Sequence, residues 1–576
     1  MIQLTDKEQE LPKSRRFLIL PVLITCLIVS KVFDFAPTFS FEILGFAAPA
    51  TPILEVFEIQ QPFVFPLGSN VSTLLLNTTV ETSKKFHPLN FTATSGFLTL
   101  NVTNSDAIDS EGIIGEILVD KIPLWRFASP NGKLNAITKS STVKNVTQFL
   151  NLFNTKSKVE FVKLEGDSDV QVELELSLFN DNTTYTNEIF ESNGPADVIY
   201  ALDSIPAIPA NITSGKLLVF ASPMNEEITY YKNDIDGANG PLRYLNVFVD
   251  DVYIQTVTPK PTLFHSNKIS GNANTTNLWT PLSDTGSFSG LSYEVDLISV
   301  LPLLYQGAKV EIEVVSPVVA PTPPGVPGLP HPVIKGSSLP NWSISGSFLG
   351  WASSVLDISS DFIIGESSQL DSGVLINPPA TSPYQPSIKN EIVKSSIKAG
   401  LITQFNVTLP TGTFNYSILT NTSTHNILTK QSKEIKKMMG PPGSGLGSTT
   451  TTTTLILISG SKLNVEVTDI DTGLTYLTKN STADFPFTLD ETSTESKSIL
   501  GPSSSSSIKA EINADIKTKV NDVKESFKVK EKLTIDDIKG TSTDISVKIK
   551  GDVPYEREVQ ADNGVIVKDT SVLSLF

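Results

Sequence analysis

The chain has 576 residues, enough for two to four domains, and 39% hydrophobic against 18% charged residues make a packed core feasible. A formal charge of −17 argues against nucleic acid as a partner, because phosphates require a basic face. The single cysteine, Cys26, leaves no intramolecular disulfide and no cysteine-built metal site. The histidines, His87, His265, His331 and His425, are scattered with no pair four residues apart, so neither metal nor cofactor is expected.

In chain order, a cytosolic tail (1–13) leads into a segment (14–36) in which the basic cluster Arg15-Arg16 precedes an apolar run from Phe17 to Ser30. A basic flank before an apolar run is the export pattern. The run reaches the roughly 20 residues of a membrane span only by including Lys31 and Asp34. The expectation is a type II signal-anchor, with Arg15 and Arg16 cytoplasmic; a cleaved signal peptide is the alternative. The remainder then lies in the lumen of the secretory pathway, in a vacuole or at the cell surface, or is secreted. Sequons at Asn70, Asn77, Asn90, Asn101, Asn145, Asn182, Asn211, Asn274, Asn341, Asn406, Asn415, Asn421 and Asn480 agree with a glycosylated product.

After a stem (37–50), short alternating stretches predict strands at 71–80, 97–102, 113–119, 159–164 and 170–178, with a short helix over 143–153. Gly194-Pro195 marks a boundary between a first region, 51–195, and a second, 196–352. The second carries strands at 216–220, 243–249, 292–298, 309–315 and 342–349, with Asp250-Asp251 at a hairpin tip and a proline-rich loop from Ser316 to His331. A third β-rich region spans 353–576. Low-complexity breaks are expected at 439–454, including the threonine tract Thr449 to Thr454, and at the serine run 503–507. Many short strands divided by turn residues predict an all-β fold of sandwiches or jelly rolls.

Carboxylates are the reactive groups that cluster. Glu226 and Glu227 follow a strand, where functional side chains often sit; neighbours on an extended segment face opposite ways, so one at most enters a cleft easily. Asp109 and Glu111 precede the strand at Ile113. Arg126 and Arg243 suit bidentate recognition of a carboxylate or sugar hydroxyls, and Trp125 and Trp279 suit stacking on sugar rings. Each also has a plainer role: solvated turn, charged approach to a strand, internal ion pair or buried aromatic.

The ordered set of motifs resembles the peptide-N4-(N-acetyl-β-glucosaminyl)asparagine amidase A family in its fungal form. It comprises Pro52-Ile-Leu-Glu-Val-Phe57, Leu124-Trp-Arg126, Ser129-Pro-Asn-Gly132 and Lys144-Asn-Val-Thr-Gln-Phe149. It continues with Asn225-Glu-Glu227, Tyr231-Lys-Asn233, Gly240-Pro-Leu-Arg243, Leu278-Trp-Thr-Pro281, Gly286-Ser-Phe288, Tyr293-Glu-Val-Asp296 and Tyr555-Glu-Arg557. The resemblance implies two packed jelly-roll-like β-sandwich domains plus the C-terminal β-region. It also implies metal-free hydrolysis of the amide joining an N-glycan to asparagine in glycopeptides or glycoproteins. Glu226 or Glu227 would act with Asp109 or Glu111, while Arg126, Arg243, Trp125 and Trp279 bind substrate. One departure stands out: an ungapped count back from Arg126 puts Glu111-Gly-Ile113 where the family carries Phe-Asp-Arg. A glycan-binding or structural protein with a decayed site is therefore the alternative.

Overall fold

A computed structural model describes residues 53–55, 65–105, 110, 112–130, 132, 137–181, 187–188, 190–192, 194–234, 239–261 and 292–317. It further describes 338–353, 357–377, 387–409, 411–438, 447–498, 501–521, 523–536, 542–551, 555–562 and 565–573. The segment expected to anchor the chain, 14–36, lies outside these residues; no helix among them is long and apolar enough to cross a membrane.

Alternating apolar and polar side chains give strands with one inward face, and the first region shows this directly. One sheet holds β1 (Ile53–Glu55), β2 (Ser69–Thr78), β4 (Ser95–Asn104), β7 (Ile137–Asn145) and β9 (Val170–Asn180), in the order β1-β7-β4-β9-β2. A second holds β3 (Thr82–Phe86), β5 (Ile114–Val119), β6 (Ile122–Ala128) and β8 (Ser157–Glu165), ordered β3-β8-β5-β6. Leu98, Leu100, Val172, Leu174 and Leu176 of the first sheet share a core with Ile117, Leu124, Trp125, Phe127 and Phe161 of the second. The helix expected over 143–153 is shorter. β7 continues to Asn145, whose Oδ1 accepts the Thr147 N–H, and only Thr147–Phe153 coils, as a 3-10 helix.

The second region begins after the small hairpin of β10 (Asn187–Glu188) and β11 (Glu191–Ser192). Its main sheet contains β12 (Val198–Ala201), β13 (Ile212–Pro223), β16 (Tyr293–Asp296) and β18 (Trp342–Ala352), in the order β12-β18-β13-β16. Beside it lies a sheet of β14 (Tyr244–Val249), β15 (Val252–Val257) and β17 (Val310–Val315), with the expected tip at Asp250-Asp251. The main sheet is buried on both faces. Leu218, Leu349 and Trp351 join the first region's core, while Leu217, Val219 and Phe348 join a second core with β14 and β15. Each buried side chain of this size contributes about 1.5–3 kcal/mol. The regions on either side of Gly194-Pro195 are thus fused through β13 and β18.

From Asp357 onward the chain forms one antiparallel sheet of eleven strands. These are β19 (Asp357–Asn377), β20 (Ser387–Leu409), β21 (Gly412–Met438), β22 (Gly447–Asp469), β23 (Thr475–Asp484) and β24 (Phe487–Ser498). β25 (Gly501–Val520), β26 (Val523–Asp536), β27 (Ser542–Gly551), β28 (Tyr555–Asp562) and β29 (Val565–Leu573) complete it. Of the expected break at 439–454, residues 439–446 lie outside the described residues; its threonine tract and the serine run are strands instead. Thr449 to Thr454 lie inside β22, hydrogen-bonded to β21 and β24, because β-branched threonines favour the extended backbone. The serine run 503–507 lies inside β25, where pairing with β24 and a Ser496–Ser503 hydroxyl contact of 3.0 Å hold it extended. Part of the inner face of this sheet packs into the second region, through Leu401, Phe405, Val407, Ile418, Val465 and Val467.

A buried ion pair sits at the first junction. Arg126 on β6 is 1% exposed and donates to Glu116 Oε1 from both Nε (3.1 Å) and Nη2 (2.9 Å). It also reaches Ser343 O (2.6 Å) and Ser345 Oγ (2.8 Å) on β18. Removing one partner of a buried pair costs about 3–5 kcal/mol, whereas replacing both with apolar groups is far less harmful. Arg126→Met is therefore expected to lower the denaturant midpoint sharply. Arg126→Met combined with Glu116→Leu should recover most of the loss, as equilibrium unfolding will show.

Candidate functional site

β13 ends at Pro223, and the chain turns at once into a 3-10 helix, Asn225–Lys232. The turn places Glu226 and Glu227 apart: Glu226 is exposed and Glu227 is buried. Glu227 meets Arg243, which immediately precedes β14. Nε donates to Oε2 at 2.6 Å and Nη2 to Oε1 at 2.8 Å, the parallel fork that guanidinium and carboxylate favour. Nη1 donates to the carbonyls of Asn239 (2.8 Å), Gly240 (2.9 Å) and Leu242 (2.7 Å), so the glycine–proline turn wraps the guanidinium. Trp342 Nε1, at the start of β18, adds a bond of 2.9 Å to Glu227 Oε2. The Tyr230 ring lies 5.5 Å from the Arg243 guanidinium carbon.

Burial by itself would raise the Glu227 carboxyl. The hydrogen bonds from Arg243 and Trp342, with the charge of Arg243, outweigh it and hold the group below the usual carboxylate range. Glu227 is thus an ionised anchor whose oxygens are occupied. Its chemistry is to fix the turn that presents Glu226.

The opposite side of the turn is held by a carboxylate that sequence reasoning missed. Glu165, the last residue of β8, accepts the Asn225 N–H on Oε1 at 3.1 Å, while its Oε2 is buried with no hydrogen-bond partner among the described residues. Asn225 has φ 54°, a left-handed conformation that asparagine tolerates better than most residues. Next to Glu165, Gly166 has φ 91°, and a Cβ there would stand 2.5 Å from the Gly112 carbonyl oxygen. Ser168 Oγ donates to Ser110 Oγ at 3.0 Å. Asp109 and Glu111 themselves lie outside the described residues, as does Trp279. Their described neighbours Ser110 and Gly112 nonetheless touch the turn that follows Glu165. The end of β8 therefore contacts both Ser110 and Gly112 on one side and the turn that supplies Glu226 on the other.

The other expected substrate-binding residues lie inside the protein. Trp125 is 0% exposed and belongs to the first region's core, so no ring face is free to stack on a sugar. Arg126 and Arg243 are each 1% exposed and engaged with internal carboxylates. Behind the junction, half-buried Lys144 donates to Leu124 O (2.8 Å), its ammonium 4.9 Å from the Phe220 ring centre. Burial pushes this amine down to about 7 against the opposing pull of Glu294 and Glu116. Among the described residues no group of three or more histidine, cysteine, aspartate or glutamate side chains could hold a metal ion.

The C-terminal sheet supports the turn from behind. Lys232 pairs with Glu491 (3.1 Å), Asp234 with Lys430 (2.8 Å), and the Tyr231 and Phe487 rings meet at 4.9 Å. No charge pattern in the sequence links these partners, which are separated by about two hundred residues or more.

Residues 205–354 match the family model for peptide N-acetyl-beta-D-glucosaminyl asparaginase amidase A. That stretch contains Glu226, Glu227, Arg243, Trp279 and Trp342. Two solved structures are also similar. One is PNGase F, a glycosylasparaginase from Flavobacterium meningosepticum, at 8% identity and a TM-score of 0.28; the other is a recombinant peptide:N-glycanase F, at 10% and 0.29. Each comparison covers 49% of this chain and 96% of the other. Superpositions this loose leave fold and function to be argued from the residues of this chain. No curated protein matches.

Two titrations test the electrostatics. The folded Glu227 carboxyl lies below its ordinary value of 4.5, so its stabilisation is complete above that pH and is lost as acid passes through the lowered folded value. Glu227→Gln should be less stable than the parent by about 3–5 kcal/mol at neutral pH, with the gap closing in acid, measured by unfolding across pH. At Lys144 the slope has the same sign, although there burial acts against the charged form. Its folded value of about 7 lies below the ordinary 10.5, so stability should rise with pH between the two. Lys144→Met should flatten that rise in thermal midpoints measured from pH 7 to 10.5.

Proposed function

We propose that the protein is a peptide-N-glycanase-like amidase that hydrolyses the bond between an N-glycan and its asparagine in glycopeptides or glycoproteins. One observation carries this: in the stretch matching the amidase A model, a buried Glu227–Arg243 pair fixes an exposed Glu226 on a turn whose Asn225 amide donates to Glu165 of β8. Hydrolysis of a glycosylated amide needs a group to orient or activate water and groups to hold the sugar and amide. Glu226 is the accessible carboxylate of the turn, and Glu165 is the second. Asp109 or Glu111 would complete the set, and Trp279 would contact the sugar. Glu227 and Arg243 are positioning residues. The fold that accompanies this function is two packed jelly-roll-like sandwiches with the C-terminal sheet as a third part, carried into the secretory pathway on the 14–36 segment.

A glycan-binding or structural protein without turnover is the second reading. The engagement of both Arg126 and Arg243 with internal partners favours it, since neither guanidinium is left to clamp substrate.

The test is incubation of the purified protein with a defined N-glycopeptide. Amidase action releases the glycan and converts asparagine to aspartate, seen as a mass gain on the peptide. Glu226→Gln is expected to reduce the rate by about 10²–10⁴-fold, the range for a positioned acid or base, and Glu165→Gln to reduce it as well. No release by the folded parent from mildly acidic to neutral pH would leave the binding role, measured next by glycopeptide affinity.

A further inference from the structure

The long C-terminal sheet has two unlike faces. On β20, Leu401, Thr403, Phe405 and Val407 are buried, whereas Ile402, Gln404 and Asn406 between them are exposed. Directly paired residues of neighbouring strands share a face, so the register assigns every other strand. Asn406 pairs with Asn415, and Gly400 with Asn421. Asn421 pairs with Asn464, which pairs with Asn480. The side on which Gly400 would carry a Cβ is also the side of Asn421, whose Oδ1 would stand 3.3 Å from it.

Four of these asparagines are sequons: Asn406-Val-Thr408, Asn415-Tyr-Ser417, Asn421-Thr-Ser423 and Asn480-Ser-Thr482. All four are exposed, and all four fall on the solvent face. The hydroxyl residue two positions on shares that face by the strand period. Between Asn421 and Asn480 the sheet is hollowed into a trough of roughly 850 Å³, where Gly400 leaves a notch and Lys398 and Lys462 line the sides. The same face exposes apolar side chains. Ile402 is 46% exposed and pairs with Leu419, two residues from Asn421; Ile363, 70% exposed, pairs with Gln404. An open apolar row on a wide sheet invites association unless something covers it.

We infer that the solvent face of this sheet is an N-glycan-bearing face, modified at Asn406, Asn415, Asn421 and Asn480, and that the glycans cover its apolar row. In the modification the side-chain amide nitrogen forms a bond to the anomeric carbon of a lipid-pyrophosphate-linked oligosaccharide. The carbon–oxygen bond to pyrophosphate breaks, the lipid pyrophosphate leaves, and the amide proton passes to solvent. The trough gives the first sugars on Asn421 and Asn480 a polar bed among the Asn464 amide and the two lysines. None of this depends on the amidase activity.

The test is expression of the full chain in eukaryotic cells whose secretory pathway glycosylates, followed by glycopeptide mass spectrometry. N-acetylhexosamine-bearing peptides are expected at all four positions. Removing the glycans enzymatically from the folded protein, and separately replacing the four asparagines with glutamine, should each lower the monomer fraction and raise binding of an apolar dye at least twofold. Asn70→Gln with Asn77→Gln, in the first region, serves as the control. Bare asparagine at any of the four positions overturns the assignment. Full modification with unchanged monomer fraction and dye binding after removal overturns the covering role.

Discussion

A guanidinium sealed between two β-sheets must be answered on every side, and Arg126 is answered from both sheets that it joins. Glu116 supplies the charge from β5, and Ser343 and Ser345 supply oxygen from β18. The surrounding residues, Leu124, Trp125, Leu218 and Leu349, form a continuous apolar core. The first two β-regions consequently act as one body. β13 and β18 are buried on both faces and leave little freedom for their ends, and the turn bearing Glu226 and Glu227 begins where β13 stops.

The candidate site depends on that rigidity. A strand end fixed in the core delivers Glu227 onto Arg243, and the fork between them orients the turn. What remains accessible is Glu226, with Glu165 reaching the same turn from the first region through the Asn225 amide. The long sheet then clamps the far end of the turn through Lys430, Glu491 and Phe487. The C-terminal third is therefore part of the site's support, and part of its inner face packs against the second region. Its outer face is left to solvent, and that is where the register collects its sequons.

Much of the fold was legible in the sequence. Alternation placed β9 and the core of β4, and Asp250-Asp251 marked its hairpin, because a strand with one buried face writes its period into the chain. Composition misled where it was locally monotonous: the threonine and serine runs lack alternation and read as breaks, yet neighbouring strands hold them extended. Trp125 could be read either as a sugar platform or as a buried aromatic, because nothing local distinguishes a buried indole from an exposed one.

By itself, the sequence determined the β character, the pairing potential of each strand, the acid-rich turn and the motifs that match the amidase A family. Only the tertiary structure decided which carboxylates are occupied and which are open. Glu226 and Glu227 are adjacent and chemically identical; burial against Arg243 and Trp342 separates their roles. Glu165 carried no signal at all, since its partner Asn225 lies sixty residues away. Side-chain chemistry and backbone period are local properties that a sequence records, whereas desolvation and ion pairing arise only when distant segments meet.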